Sequence, residues 1–303
     1  MLSFGSNTGR KAPLFSTSRP GRGVGALLVS AALALGCESA SHGKDASPSS
    51  SQRIAQASVR LDLPRGGEPS LSLLAFWADA NDVAVGDVLG AVDPLVAAAP
   101  ESGCELRDVT GTARKIRAQG GSVNLEELSG VSLFAGRQWV HPKPRVYPPL
   151  AGVVGGVIAE AGPLDLDQVP DAIDLVIPGQ GTDATVRAQL PTTLAVADHS
   201  GNPLDAGMHL TIKDDLVLNV VGPPRTILEL RPFGAPSAIT CAVGSGGWVV
   251  VPHDLLVKLE ASARRAPVSF EAAWRETRLV SVGNELVRVS LEARSSAVLE
   301  LHP

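Results

Sequence analysis

The stretch 268–302 reads VSFEAAWRETRLVSVGNELVRVSLEARSSAVLELH, and its pattern decides the fold class. Val268, Phe270, Ala272 and Trp274 alternate with Ser269, Glu271 and Arg275. Val287, Val289, Leu291 and Ala293 alternate with Arg288, Ser290, Glu292 and Arg294. Ala297, Leu299 and Leu301 alternate with Val298, Glu300 and His302. Successive side chains of a strand point to opposite faces, so a period of two gives one apolar and one wet face, the pattern of antiparallel sheets. Gly283-Asn284 lies between two of these runs, where a hairpin turn belongs.

Upstream, Leu216–Val221, Thr226–Arg231 and Ile239–Val243 are further short strands, punctuated by Pro223-Pro224, Pro232 and the glycines of 244–247. Residues 253–261 suit a short helix, with Pro252 at the start and Leu255, Leu256 and Leu259 on one face. Short strands at this spacing indicate a sandwich. The earlier part is also rich in strands, at 58–63, 70–77, 104–109, 122–128, 131–134, 153–158, 174–177 and 184–188. Residues 85–99 suit a short helix or an irregular loop, since Pro94 interrupts them. Residues 140–150 hold four prolines and are expected to be extended at an edge or in a loop. The fold class expected is all-β, with two antiparallel β-sandwich-like domains, 57–189 and 190–303.

The first 36 residues differ from the rest. Arg10, Lys11, Arg19 and Arg22 form a basic region without an acid, and an uncharged run follows from Val24 to Leu35. A basic, then apolar, then small order is that of a secretory signal. The run is about 12 residues, whereas a membrane-crossing helix needs roughly 20, so it is a signal core and not a span. Residues 38–53, ESASHGKDASPSSSQR, lack aromatic and large apolar side chains and cannot build a core. Residues 37–56 are therefore expected to be a disordered, Ser-rich tether.

Leu33-Ala34-Leu35-Gly36-Cys37 resembles the lipobox of bacterial lipoproteins, with Ala34 where that family more often has Leu. The resemblance implies cleavage of a signal peptide, 1–36, and a covalent lipid on Cys37. It also implies a membrane contact through that lipid. Several acyl chains hold a membrane far more firmly than one. Glu38 is not the Asp that marks inner-membrane retention in the family, so the expected location is the outer membrane of a Gram-negative-type cell envelope. In layout the folded part resembles the β-rich envelope lipoproteins. Pro191, Leu194, Val196 and the 216–221 strand give the C-terminal portion a fibronectin-III-like layout, without the tryptophan of that family's early strands.

Once the signal is removed, 22 Lys and Arg face 31 Asp and Glu, a formal charge of −9. Phosphate binding needs clustered cations, so nucleic acid is not an expected partner. Two cysteines remain, and an oxidising compartment permits a Cys104–Cys241 disulfide. The local alternation of Cys104 with Leu106, and of Cys241 with Ile239 and Val243, equally fits two separate buried thiols.

The search for chemistry yields little. No two of His42, His141, His199, His209, His253 and His302 stand at a zinc-pair spacing. Gly244-Ser245-Gly246 has Val243 where a nucleophile elbow needs Gly, and no clear helix follows directly, so it is better explained as a turn. Asp79, Asn81, Asp82 and Asp87 crowd one segment and are candidate Ca²⁺ ligands, although Val83 and Ala84 break the calcium-loop order. A solvated acidic turn is the preferred account there. Asp165, Asp167, Asp171 and Asp174 form a second acidic stretch. Phe270, Trp274 and Trp77 are expected in the core, leaving Trp139 and Tyr147 as candidates for a ligand-contacting surface. The sequence thus points to a monomeric, non-enzymatic envelope protein without a cofactor other than its lipid, acting in adhesion, scaffolding or interaction. The rivals are a carbohydrate- or Ca²⁺-binding module and a hydrolase with dispersed carboxylates.

Overall fold

The computed structural model describes residues 52–65, 67–84, 87–88, 100–108, 116–150, 152–204, 208–211, 213–235, 237–263 and 266–302. The signal peptide, Cys37, most of the tether and nearly all of 85–99 lie outside them.

The alternating C-terminal stretch is one long hairpin. Strand β17 (Val268–Val282) pairs antiparallel with β18 (Glu285–His302) from Val282↔Glu285 to Val268↔Leu299, across the turn Gly283-Asn284. Gly283 sits at φ +61°, where a Cβ is disfavoured. Outward from β17 come β14 (Thr226–Pro232), β15 (Ser237–Ala242) and β3 (Cys104–Asp108). Outward from β18 come β1 (Gln52–Asp62), β2 (Ser70–Asn81), β4 (Ser122–Glu127), β8 (Val154–Asp165) and β7 (Lys143–Leu150). With β12 (His209–Thr211) beside the end of β18, the sheet has eleven strands. The proline-rich β7 is an edge strand, where missing N–H donors cost least.

Two small sheets complete the architecture. One has the order β10 (Ala184–Ala188), β9 (Ile173–Ile177), β5 (Ser132–Ala135), β6 (Gln138–Val140). The other runs β11 (Ala195–Asp198), β13 (Leu216–Val221), β16 (Trp248–Val251). Helix α1 (His253–Ala263) follows β16, and Asp215 accepts a hydrogen bond from its first N–H at 2.8 Å.

One continuous core joins these layers. Leu71, Leu73, Leu228, Phe270 and Val289 of the large sheet share it with Leu133, Ile173 and Leu175 of the four-stranded sheet. Leu218, Val220 and Val249 of the three-stranded sheet and Leu256 and Leu259 of α1 belong to it too. This is the all-β, sandwich-like class that the alternation indicates. Burying one such Leu or Phe side chain is worth about 1.5–3 kcal/mol. A second, smaller core lies on the other face of β2. Leu71, Leu73 and Ala75 enter the main core, whereas Phe76, Ala78 and Ala80 enter the second with Leu125, Val154 and Ile158. The β4–β8 contact beneath it needs Gly156, because a Cβ there would stand 2.0 Å from the Leu125 carbonyl oxygen.

Three expectations are corrected. The boundary at 189/190 does not separate two domains, because residues 47–303 form one compact unit and the large sheet takes strands from both sides of it. The physical cause is long-range pairing: β1 runs parallel to β18 from Ala55↔Val287 to Asp62↔Arg294, and β3 pairs with β15. The strands after residue 190 are accordingly shared between the large and three-stranded sheets. The sheet is also mixed, since β1–β18, β4–β8 and β12–β18 are parallel. Finally, the tether ends earlier than residue 56, because β1 begins at Gln52 and pairs with β2 from Gln52↔Ala80 onward.

Candidate functional site

The most exposed tryptophan among the described residues is Trp139, 58% accessible on the edge strand β6. The hairpin β5–β6 turns at Gly136-Arg137 and sets Trp139 opposite Phe134, with ring centroids 5.4 Å apart at 49°. His141, just beyond the strand, stacks on the indole at 5.9 Å and 11°. The row continues across the sheet through Phe134↔Asp174 and Asp174↔Arg187, and the guanidinium stands 3.9 Å from the Asp174 carboxylate. An aromatic platform therefore lies beside one charged donor and one charged acceptor on the outer face of the four-stranded sheet. Such a row can stack on the flat face of a ring and hydrogen-bond groups at its rim.

The expected companion of Trp139 is elsewhere. Tyr147, on β7, is half-buried against the second core. Phe134, His141, Asp174 and Arg187 take its place: the β5–β6 hairpin brings the first two beside Trp139, and the β5–β9 and β9–β10 pairings bring the last two. Of the other tryptophans, Trp274 is buried, Trp77 is half-buried with the Arg53 guanidinium 4.7 Å from its ring centroid, and Trp248 is exposed on β16.

The proposed calcium ligands do not converge. Asp79 lies on β2 with Arg53 at 3.8 Å, and Asn81 ends the strand. Asp82 has φ +57°, and the Asp87 N–H donates to the Ala84 carbonyl at 2.9 Å. Among the described residues no group of three or more His, Cys, Asp or Glu is placed to hold a metal. The second acidic stretch is likewise dispersed, from Asp165 at the end of β8 to Asp174 within β9. Gly244–Gly247 is a tight turn, with the Gly247 N–H donating to the Gly244 carbonyl at 3.1 Å. Cys104 and Cys241 face each other directly across β3 and β15 and are joined by a disulfide.

Sequence reading missed a ladder of charges on the face of the large sheet away from the main core. Arg231 pairs with Glu229, Glu229 with Arg275 at 3.5 Å, Arg275 with Glu292 at 3.2 Å, and Glu292 with Arg60 at 2.8 Å. Arg294 joins Asp62 to Glu271. Burial pushes the Glu292 carboxyl up, but the charges of Arg275, Arg60 and Arg294 outweigh it and hold it below the ordinary value. Burial alone would lower Arg294, yet Asp62 and its acidic neighbours raise it. A carboxylate with both oxygens engaged by guanidinium groups is a poor proton donor and a poor base. This ladder is a cross-strand clamp, not acid–base machinery. The signal for part of it was present: with a two-residue turn at 283–284, Arg275 and Glu292 fall opposite each other.

Clefts open on the surface among the described residues. One, of about 350 Å³, is lined by Leu63, Arg65, Thr192, Thr193, Leu204 and Ser295 among others. The second, of about 290 Å³, lies between the β17–β18 turn and residues 177–180, with Trp77, Leu128 and Val287 in its walls. No protein-family model, curated protein or solved structure matches the chain.

Proposed function

We propose that this chain is a lipid-anchored, non-enzymatic protein of the cell envelope, and that its β-sandwich-like body presents an interaction surface. The observation that carries the reading is the order of segments: a basic and apolar leader, Leu33–Cys37, a Ser-rich stretch, then β1 at Gln52. A folded body that starts so soon after a lipid-acceptor cysteine is suited to display at a membrane surface, the outer membrane in this reading. Metabolic labelling with a fatty-acid analogue tests it. The wild type should carry the label and lose its leader. The Cys37→Ala variant should remain unlabelled and unprocessed, and label surviving that change would refute the anchor.

The exposed Trp139 row favours a second reading within the first, in which the partner is a glycan of the envelope. Packing of a ring's apolar C–H face on an indole, with hydrogen bonds from Arg187 and to Asp174, is the chemistry that recognises a sugar. Binding of peptidoglycan fragments, measured by calorimetry, should be lost in Trp139→Ala with the melting temperature unchanged. Equal affinity in the two proteins would refute this surface.

A further inference from the structure

We propose that the turn of the β17–β18 hairpin, with Leu279 and Leu286, is the part of the folded body that rests on the bilayer. This rests on the reading of Cys37 as the lipid-bearing residue.

The first observation is exposure. Leu279 and Leu286 are 70% and 61% accessible, the most exposed leucines among the described residues. They are also neighbours. In the hairpin Leu279 stands opposite Arg288 and Ser281 opposite Leu286, so the two leucines lie diagonally on one face. Val280, Val282, Val287 and Val289 point the other way, toward the main core. Ile54 of β1, half-buried, extends the leucine row, since Ala55 pairs with Val287 in the parallel β1–β18 ladder. Leu279 and Leu286 therefore stand at a strand end with no layer of the described residues over them.

The second observation is where the tether is rooted. Carrying the β1–β18 register back three residues from Ala55↔Val287 brings Gln52 level with Asn284 in the turn. Adjacent strands are about 4.8 Å apart. The chain that leads back to Cys37 thus leaves the body beside the exposed leucines, at the same end of the strands. Only fourteen residues separate Cys37 from Gln52, which limits the reach to about 50 Å even when fully extended. A bilayer holding the lipid is consequently always within reach of this end first. Of the other exposed apolar groups, Val217, Trp248 and Val250 lie on β13 and β16 of the three-stranded sheet, which packs on the large sheet near the opposite ends of β1 and β18, while Trp139 and Val146 lie on the edge strands β6 and β7 and Phe233 follows β14.

The test uses the mature, acylated full-length protein reconstituted into phosphatidylethanolamine–phosphatidylglycerol vesicles. With Cys104 and Cys241 in their disulfide and Cys37 acylated, Leu286→Cys supplies a single free thiol for an environment-sensitive fluorophore. Leu286 is exposed, so the substitution leaves the packing intact. Val250→Cys, 50% accessible, is the control. The acyl mass on Cys37 is first checked by mass spectrometry; its absence overturns the anchor and this proposal with it. With the acyl mass present, the probe at 286 should shift to the blue and be quenched by brominated lipid, and the probe at 250 should do neither. A water-exposed probe at 286, or equal quenching at both sites, overturns the docking of the hairpin while leaving the anchor standing.

Discussion

Replacing Cys104 and Cys241 together by Ala should lower the stability of the folded body by about 3–5 kcal/mol. The cross-link closes a loop of 137 residues, and the loop-entropy relation gives about 5 kcal/mol for that length as an upper figure. Its position in the topology explains why so long a loop is closed. The chain leaves β2 at Asn81 and reaches the far edge of the large sheet as β3 at Cys104. It is back beside β2 as β4 at Ser122. Between these points it passes the width of β1, β18, β17, β14 and β15, roughly 25 Å at the usual strand spacing. Five residue pairs with β15 hold β3 in place, and much of β3 is exposed. Cys241 is fully buried, so Ala at both sites avoids burying a polar atom. For a body of about 250 residues, 1 kcal/mol corresponds to about 2 °C, which predicts a fall of roughly 6–10 °C. Differential scanning calorimetry of the oxidised wild type and the double variant, both without reductant, measures it. A difference below about 2 °C would show that β3 detaches locally and that the cross-link contributes nothing to the cooperative unit.

Further outcomes follow from the same structure. Phe270→Ala should cost about 3–5 kcal/mol in a urea titration, because its side chain is wholly buried in the main core. Glu292→Gln should cost about 2–3 kcal/mol, discounted for the partial exposure of Arg60 and Arg275, which it leaves without their shared carboxylate. The Glu292 carboxyl is lower in the folded state, so its contribution is present above the ordinary value of 4.5 and lost as pH falls through the folded one. Stability of the wild type should therefore decline more steeply in acid than that of Glu292→Gln, as read from urea midpoints below pH 5. About 1 mM CaCl₂ should leave the melting temperature within about 2 °C of its value in EDTA, since Asp79 already faces Arg53. A rise of roughly 5 °C that vanishes in Asp79→Ala with Asp82→Ala would instead establish a calcium site there.

Which parts of the molecule were legible in its sequence follows from the range of the interactions that set them. The β17–β18 hairpin is local: a two-residue turn fixes the register, and the register fixes which side chains face each other. The same holds for the β5–β6 hairpin, so the exposure of Trp139 could be anticipated. Its neighbours Asp174 and Arg187 come from β9 and β10, whose place beside β5 is a tertiary fact. Tyr147 was misplaced because the prolines of β7 suggested an exposed stretch, while the second core beneath β7 is built from β2, β4 and β8. The continuous apolar run from Leu73 to Ala78 was a sign of that second core. A strand covered on both faces needs no polar alternation.

The boundary at 189/190 failed for a reason that bears on how the body holds together. Each run on either side of it has a well-formed apolar face, and an apolar face only demands some cover, without saying from where. The parallel pairing of β1 with β18 joins the two sets of runs into one sheet across about 230 residues of chain. A local pattern cannot encode such a partner, because the hydrogen-bonding groups of every strand are the same. What distinguishes β1 and β18 from other candidate neighbours is their wet faces: Arg60 meets Glu292, Asp62 meets Arg294, and Gln56 donates to Ser290 at 3.3 Å. In another register or beside another strand these half-buried charges would lose their partners, and an unpaired buried charge costs several kcal/mol. The charge ladder thus acts less as a source of stability than as a selector of pairing. It is the feature that makes one sheet, and not two domains, out of a sequence whose apolar pattern permits either.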